Sequence, residues 1–282
     1  NQKLKEKNIY DYNFIGESQS IQKIRQLIEK VAPTSSRVLI YGDSGTGKDV
    51  VAREIHKNSK YCNGPFIVIN AAILEPEGIE SELFGHDNGN GEIVTGLFEK
   101  SHNGTLFIDE VGEMPLQTQA KILRVLTDQS FTRVGDDKLI SIDSRIICSS
   151  TKDLNKLIDN GNFRKDLFHR LNVVNITIPN LSDRLEDLDL IIDHFSKYFS
   201  DLNSVKNVDL KPLIKSKYLN YEWPGNIREL RNLIERYIII GDKFDESNDR
   251  DDKYKDESKN VISMRLKNAR RIFEKNYLQS QI

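Results

Sequence analysis

The sequence is poor in cysteine and tryptophan and has no long apolar segment. Its 282 residues include two cysteines, Cys62 and Cys148, and one tryptophan. Two cysteines are too few for the disulfide framework of a small secreted domain, which favours a reducing, cytoplasmic setting. No run approaches the roughly 18 apolar residues that span a bilayer, so we predict no association with a membrane. The histidines are not spaced with the cysteines as zinc ligands are.

The sequence also has no marked excess of positive or of negative side chains. Lysine and arginine number 41 against 43 for aspartate and glutamate, which gives a net charge of −2. This balance lacks the basic footprint of a compact nucleic-acid-binding domain. Hydrophobic residues make up 38% of the chain, and its length fits one large domain or two smaller ones. The composition therefore predicts a polar protein with enough apolar residues for a folded core.

Short apolar runs alternate with helical spacing in the first part of the chain. The runs lie at 37–41, 66–69, 105–108, 144–148 and 173–178. Strands that alternate with helices pair in parallel, and helices cover both faces of their sheet. We therefore predict an α/β fold with a parallel sheet up to residue 179. From 180 to 241 the spacing is helical throughout, which predicts a small all-helical subdomain.

The composition changes again near the end of the sequence. Residues 242–260 contain eight acidic and five basic side chains and almost nothing apolar. Such a composition is typical of a solvated linker. Helical spacing returns at 261–282. We predict a charged linker followed by one further helix.

A glycine-rich turn follows the first predicted strand and opens a helix. It fits the pattern G-x-x-x-x-G-K with the residues Gly42, Asp43, Ser44, Gly45, Thr46, Gly47 and Lys48, followed by Asp49 and Val50. Such a turn directs backbone N–H groups and a helix N-terminus at phosphate oxygens, and Lys48 reaches the β- and γ-phosphates. Position 49 usually carries a hydroxyl for Mg²⁺; a carboxylate can also hold the ion but adds negative charge. The motif predicts a site for ATP and Mg²⁺.

Two carboxylates end the apolar run at 105–108, about sixty residues after the glycine-rich turn. They are Asp109 and Glu110. At the carboxyl edge of a strand, Asp109 can orient hydrated Mg²⁺ while Glu110 polarises an attacking water. The spacing between the two motifs predicts a nucleotide hydrolase, with Asp49 and Asp109 as the metal-binding residues.

Further motifs accompany this pair. They are ESELFGH (80–86), GTLFIDEVGEMPLQTQAKILRVL (104–126), RVG (133–135), FRKDLFHRLNVV (163–174) and WPGNIREL (223–230). Together they resemble the AAA+ domain of bacterial enhancer-binding proteins, the ATP-driven activators of sigma-54 RNA polymerase, over roughly residues 14–241. Within that family the sequence is most similar to the NtrX-type response regulators.

The resemblance implies a fold and a domain order. The fold is the P-loop AAA+ three-layer sandwich with a parallel sheet (14–179), followed by an all-helical lid subdomain (180–241). Residues 1–13 would be the linker from a receiver domain that precedes them. The charged linker (242–260) would lead to 261–282 as the first helix of a Fis-type helix-turn-helix domain.

The resemblance also assigns roles to individual residues. Arg164 and Arg170 match the two arginines that reach into a neighbouring subunit's nucleotide. Ser150 and Thr151 match the first sensor position, where the family usually has Thr-Asn. Asn70 matches the residue that restrains the catalytic glutamate.

On the lid side, Arg228 matches the second sensor, which contacts phosphate, and Asn226 before it is predicted to be the helix N-cap. Ile15 and Gly16, together with Ile227, would flank the adenine. For Arg164, Arg170 and Asn70 the alternatives are purely structural ones: surface ion pairs for the arginines and a strand cap for Asn70.

One family motif is missing. Sigma-54 activators carry a G-A-F-T-G-A loop between the ELFGH segment and the acidic strand, and this loop contacts the sigma factor. Here the interval 85–99 is several residues shorter and lacks the Phe-Thr pair. Our hypothesis is that the chain does not remodel sigma-54 polymerase.

The resemblance implies the ATPase module of a two-component, DNA-binding response regulator. Its partners would be further copies of itself in a dimer or ring, a sensor kinase acting through the receiver domain, and promoter DNA through the C-terminal domain. Three alternatives remain open: an ATP-gated oligomerisation switch with negligible turnover, a true sigma-54-dependent activator, and an unrelated AAA+ chaperone.

Overall fold

The structure is a computed structural model, and it describes most of the chain. The described ranges are 13–72, 76–87, 93–218 and 221–241. The predicted N-terminal linker (1–13) lies outside them except for Asn13, and the charged linker (242–260) and the predicted C-terminal helix (261–282) lie wholly outside them. The chain divides into two compact units after Glu235, and the site described below lies wholly within the first. Within the described ranges, no helix is both long and apolar enough to cross a membrane.

Most strands are short and apolar, and they occur where the sequence predicts them. In chain order they are β1 (Val38–Tyr41), β2 (Phe66–Asn70), β3 (Gly85–Asp87), β4 (Ile93–Thr95), β5 (Thr105–Asp109), β6 (Ser130–Phe131), β7 (Ile140–Ser141), β8 (Arg145–Ser150) and β9 (Val174–Thr177). The five predicted strands correspond to β1, β2, β5, β8 and β9. The other four form two small hairpins that the apolar pattern does not reveal.

Helices connect the strands and make up most of the chain after β9. They are α1 (Gln19–Val31), α2 (Lys48–Lys57), α3 (Pro76–Phe84), α4 (Leu97–Lys100), α5 (Leu116–Asp128), α6 (Leu154–Asp159), α7 (Lys165–Leu171), α8 (Leu188–Asn203), α9 (Lys211–Lys217) and α10 (Asn226–Ile240). A 3₁₀ turn (Leu181–Asp187) precedes α8. The prediction of continuous helix from 180 onwards is wrong at 204–210 and 221–225, where the apolar spacing is interrupted and a Trp-Pro-Gly turn intervenes.

The five long strands form one parallel sheet with the order β2-β5-β8-β1-β9. Strand β8 therefore lies between β1 and β5, with Leu39 opposite Cys148 and Cys148 opposite Ile108. The parallel sheet and the helical lid are as predicted. All five carboxyl ends lie at the same edge, because the strands run in one direction.

Both faces of the sheet are covered by apolar side chains. Leu39, Leu106 and Ile146 pack on one face with residues of α3, α5, α6 and α7. Alternate positions such as Val38, Phe107 and Ile147 pack on the other face with residues of α1 and α2. This alternation follows from the two-residue period of a strand and explains why the runs read as continuously apolar in sequence.

Hairpin β3–β4 occupies the interval in which the family's sigma-contacting loop would lie. Gly85 pairs with Thr95 and Asp87 with Ile93. The two strands leave residues 88–92 to connect them, and these lie outside the described residues. The pairing makes the interval a short hairpin.

The two cysteines have different environments, and this difference can be measured. Cys148 is completely buried in β8 and burial raises the pKa of its thiol to about 12, whereas Cys62 is exposed. Because the thiolate is the reactive form, we expect Ellman's reagent at pH 8 to modify one thiol per native chain and two after denaturation. In C62S the native chain should not react. Rapid modification of native C62S would contradict this assignment.

Candidate functional site

The glycine-rich turn between β1 and α2, the phosphate loop (residues 42–48), has a backbone suited to phosphate. Gly45 and Gly47 have φ of +80° and +100°, in the region that favours glycine. A Cβ on Gly45 would lie 2.1 Å from the carbonyl oxygen of Gly225, so no larger residue fits there. Helix α2 starts at Lys48, and Gly47 before it has no side chain to cap the first-turn amides. Such a helix start attracts anions.

The ammonium group of Lys48 is buried at the centre of this turn. Its side chain is 8% exposed, and its Nζ donates to the carbonyl oxygen of Gly42 over 2.9 Å. The Nζ also lies 3.2 Å from Oε1 of Glu110. A buried ammonium needs compensating partners, and here the catalytic-glutamate candidate is one of them.

Strand β8 supplies a serine that holds the first carboxylate of the acidic pair. The hydroxyl of Ser149 donates to Oδ1 of Asp109 in a short hydrogen bond, and it accepts from the backbone N–H of Glu110 over 3.2 Å. Asn70, at the end of β2, donates to Oδ2 of Asp109 over 3.2 Å. The predicted contact of Asn70 with the glutamate is therefore replaced by one with the aspartate. Burial raises the pKa of Asp109, and the charges of Glu110 and Asp49 add to this effect, against the Ser149 bond and Lys48.

Glu110 follows the end of β5 in a left-handed backbone conformation, with φ 56° and ψ 51°. Its Oε2 accepts hydrogen bonds from the backbone N–H of Thr151 over 2.9 Å and from the Thr151 hydroxyl over 2.8 Å. A non-glycine residue in this region is uncommon and is found at functional sites. The carboxylate is thus fixed between β8 and the phosphate loop.

Most predicted site residues line one cavity of about 570 Å³. From the phosphate loop, the start of α2, the end of β2 and the acidic pair these are Ser44, Gly45, Thr46, Gly47, Lys48, Asp49, Val50, Asn70, Asp109 and Glu110. Ile15 lines it from the segment before α1, and Ile227 and Arg228 line it from α10. Sequence positions more than 200 residues apart therefore meet around one space, with charged groups at one part and apolar ones at another.

Other predicted residues lie beside this cavity. Gly42, Asp43 and Thr151 line a neighbouring cavity of about 520 Å³. The Ser150 hydroxyl donates to the backbone of Lys152. Gly16, with φ +137°, packs against the carboxylate of Asp187, which a Cβ would approach to 2.7 Å.

Three successive carbonyl groups of the phosphate loop accept hydrogen bonds from the lid. The amide of Asn226 donates to Ser44 over 3.1 Å, the backbone N–H of Arg228 to Gly45 over 3.3 Å, and the guanidinium of Arg184 to Thr46 over 3.2 Å. The Arg228 guanidinium also donates to the Ser44 hydroxyl. Asn226 does not act as the predicted N-cap: its Oδ1 accepts from the backbone N–H of Leu181 over 2.8 Å.

A buried carboxylate ties the start of the lid to the segment before α1. Asp187 is 1% exposed and accepts from the backbone N–H groups of Glu17 and Ser18 over 2.6 and 2.8 Å, and from the Ser18 hydroxyl. Ser18 in turn caps α1. These bonds hold Ile15 at the cavity.

The two arginines that are predicted to reach a neighbouring subunit's nucleotide lie outside the cavity. Arg164, just before α7, forms an ion pair with Asp166 at 2.7 Å and is 42% exposed on its side chain. Arg170, in the last turn of α7, is exposed and donates to the carbonyl oxygen of Leu126 over 3.3 Å. Both therefore lie at the surface, where a second chain can reach them.

Sequence reasoning missed several residues of the site. Ser149 directly follows the apolar residues of β8 and belongs to no motif, so the sequence alone does not mark it as part of a site. Arg53 and Arg231 also line the large cavity, and neither belongs to a motif quoted from the sequence. Phe195, also in the lining, is indistinguishable in sequence from an ordinary core residue of the lid.

The residues present fit a nucleoside phosphate with Mg²⁺. The helix start and Lys48 suit the phosphates, and the apolar lining around Ile15 and Ile227 suits a planar base. Among the described residues no cluster of three or more metal-ligating side chains occurs. Mg²⁺ bound with phosphates needs only one or two carboxylates, and Asp49 and Asp109 line the same cavity.

Comparison with known proteins gives one consistent result. The family model of the sigma-54 interaction domain matches residues 14–177, and that of the AAA+ ATPase lid domain matches 182–247. The regulatory protein AtoC of Escherichia coli is 46% identical over 215 residues, which are 75% of this chain and 47% of AtoC. The nitrogen assimilation regulatory protein NtrX of Azorhizobium caulinodans is 38% identical over 96% of this chain and 63% of its own length.

Solved structures agree. A crystal structure of NtrX from Brucella abortus in complex with ATP superposes with a TM-score of 0.80 at 40% identity, covering 97% of this chain and 64% of that one. The same protein with ADP gives 0.78 at 44% identity, over 84% of this chain and 53% of that one. The chain therefore spans about half to two thirds of the length of these relatives.

The lid contact of Asn226 gives a stability prediction. Asn226 is 2% exposed with φ +51°. N226A leaves the Leu181 N–H and the Ser44 carbonyl without their partner and strains the backbone, so we expect the free energy of unfolding in urea to fall by about 2–4 kcal/mol. N226G loses the same bonds without the left-handed strain and should be about 1 kcal/mol more stable than N226A. A change below about 0.5 kcal/mol in N226A would refute this role.

Proposed function

Because the chain belongs to the family of sigma-54 interaction domains and carries an AAA+ ATPase lid domain after it, we propose that it is the ATP-binding and ATP-hydrolysing module of a DNA-binding transcriptional regulator. The observation that carries this proposal is the meeting of Lys48, Asp109, Glu110 and Arg228 around one cavity. The ATP and ADP complexes of the Brucella relative support it. Residues 14–179 would bind the nucleotide and 180–241 would form its lid.

Each residue has a task that follows from its position. The phosphate-loop amides and Lys48 bind the phosphates, with Arg228 contacting them from the lid. Asp109 and Asp49 would hold Mg²⁺ directly or through water, and the ion would supply positive charge beside the transferred phosphoryl group. Glu110 orients and polarises the attacking water. Ile15 and Ile227 enclose the base and exclude water from it.

The surface arginines are proposed to act between subunits of a dimer or ring. Arg164 and Arg170 cannot serve their own site because they lie outside its cavity, whereas a permanent guanidinium charge suits a neighbour's phosphates. The Arg164–Asp166 pair is half-exposed and therefore easily exchanged for a phosphate partner. Hydrolysis would then depend on assembly.

The regulator is proposed to act without remodelling sigma-54 polymerase. Strands β3 and β4 pair from Gly85–Thr95 to Asp87–Ile93, so the interval forms a short hairpin in place of a long projecting loop. Promoter DNA and a sensor kinase would be engaged through parts of the protein on either side of residues 14–241, in the cytoplasm. The main alternative is an ATP-gated assembly switch, which Asp49 favours because its charge opposes that of the phosphates.

Two substitutions separate hydrolysis from binding. K48A removes the buried ammonium and should abolish ATP binding measured by calorimetry, together with any change in mass on ATP addition. E110Q should bind ATP but lower turnover at least about 100-fold. Equal, near-zero turnover of native chain and E110Q, with ATP binding intact, would favour the switch. Unimpaired ATP binding by K48A would contradict the site itself.

Mixing two inactive variants tests the arginines. R170A keeps a complete nucleotide site, and K48A keeps its arginines, so a mixture should regain turnover that neither has alone. Alone, R170A should lose about 10³-fold or more, as measured by phosphate release. K165A, which removes a neighbouring exposed charge of α7, is the control and should be unchanged. Absence of any recovery in mixed assemblies would exclude action between subunits.

A further inference from the structure

The two oxygens of the Glu110 carboxylate have different partners. Oε2 accepts two hydrogen bonds, both from Thr151: one from its backbone N–H and one from its hydroxyl. Oε1 faces Lys48, whose Nζ lies 3.2 Å away. A carboxylate oxygen has two lone pairs. Thr151 therefore saturates one oxygen and leaves the other directed at the ammonium that binds phosphate.

We propose that Thr151 is a positioning residue for Glu110, and that it fixes the carboxylate with Oε1 directed at the reacting phosphate. This inference rests on the proposed hydrolytic function. It differs from the first-sensor position that the resemblance gives Thr151, where a hydroxyl can bond a γ-phosphate or a water. It also differs from the role given to Asn70, whose amide donates to Asp109.

The sheet explains why Thr151 reaches the glutamate. Strands β5 and β8 are direct neighbours, with Ile108 opposite Cys148. One residue further on, Ser149 holds both Asp109 and the backbone N–H of Glu110. The left-handed backbone of Glu110 then turns its side chain across the end of β8, where Thr151 lies. The last residue of β5 and the residue after it are thus both held by side chains at or just after the end of β8.

The contact between Lys48 and Glu110 has a consequence for ATP binding. Phosphate and the Glu110 carboxylate compete for the same ammonium, because the Lys48 side chain is 8% exposed and its Nζ has few positions available to it. When Lys48 binds phosphate, Oε1 loses its cationic partner and becomes the acceptor for a water proton. By holding Oε2, Thr151 keeps Oε1 in place during this exchange, at some cost in affinity for ATP.

The test compares T151V, which removes only the hydroxyl, with T151S, which retains it. In T151V we expect kcat to fall about tenfold, because a hydrogen bond to a charged group is lost. The Kd for ATP should become about threefold lower, since Glu110 then competes less well for Lys48. T151S should resemble the native chain in both. In the E110Q background, T151V should change neither turnover nor affinity.

The outcomes discriminate between roles. A weaker or unaltered affinity of T151V for ATP would overturn the proposal. If T151V bound ATP more weakly but ADP as well as the native chain does, Thr151 would instead contact the γ-phosphate. An effect of T151V that persists in E110Q would also overturn it. If the native chain shows no turnover, the hydrolytic function fails separately. In that case the positioning role is decided by ATP affinity alone, measured for T151V and for the double variant E110Q/T151V.

Discussion

The parallel register of β1, β8 and β5 is the constraint on which the site depends. Cys148 pairs with Leu39 on one side and with Ile108 on the other. The carboxyl ends of the three strands consequently lie side by side, so the phosphate loop, the hydroxyls after Cys148 and the acidic pair meet within hydrogen-bonding distance. A slip of one residue would turn each side chain to the opposite face. The apolar alternation that fills both faces of the sheet therefore also fixes the chemistry at its edge.

This arrangement places opposite charges in a poorly solvated place. The Lys48 ammonium and the Glu110 carboxylate compensate each other there, and loss of one partner would leave the other buried and unpaired. Burial already raises the pKa of Asp109, with neighbouring carboxylates adding to it. A site of this kind favours an incoming anion on Lys48 together with a cation beside Asp109. The charge pattern of the residues themselves thus suits a phosphate with a divalent metal, as the proposed function requires.

The sequence predicts the architecture well and the contacts within the site less well. The family inferred from the motifs and the five-stranded parallel sheet are confirmed, because apolar runs and a phosphate loop are local signals. The hydrogen-bond partner of Asn70 and the two hydrogen bonds from Thr151 to Glu110 depend on strand register and side-chain rotamers. They join strands that lie about forty residues apart in sequence. Asn226 illustrates the limit: its type and position suit an N-cap, but a tertiary partner, the Leu181 N–H, takes its oxygen.

The lid contacts extend the same logic beyond the sheet. Carbonyl groups of Ser44, Gly45 and Thr46 accept in turn from Asn226, Arg228 and Arg184. These three carbonyls belong to the phosphate loop itself, so the lid fixes the orientation of its peptide units by hydrogen bonds. The close approach of Gly225 to Gly45, which excludes any side chain there, leaves little room for one to move without the other. A displacement of the lid must therefore change the shape of the phosphate loop, so the position of the helical subdomain and the geometry of the candidate nucleotide site depend on each other.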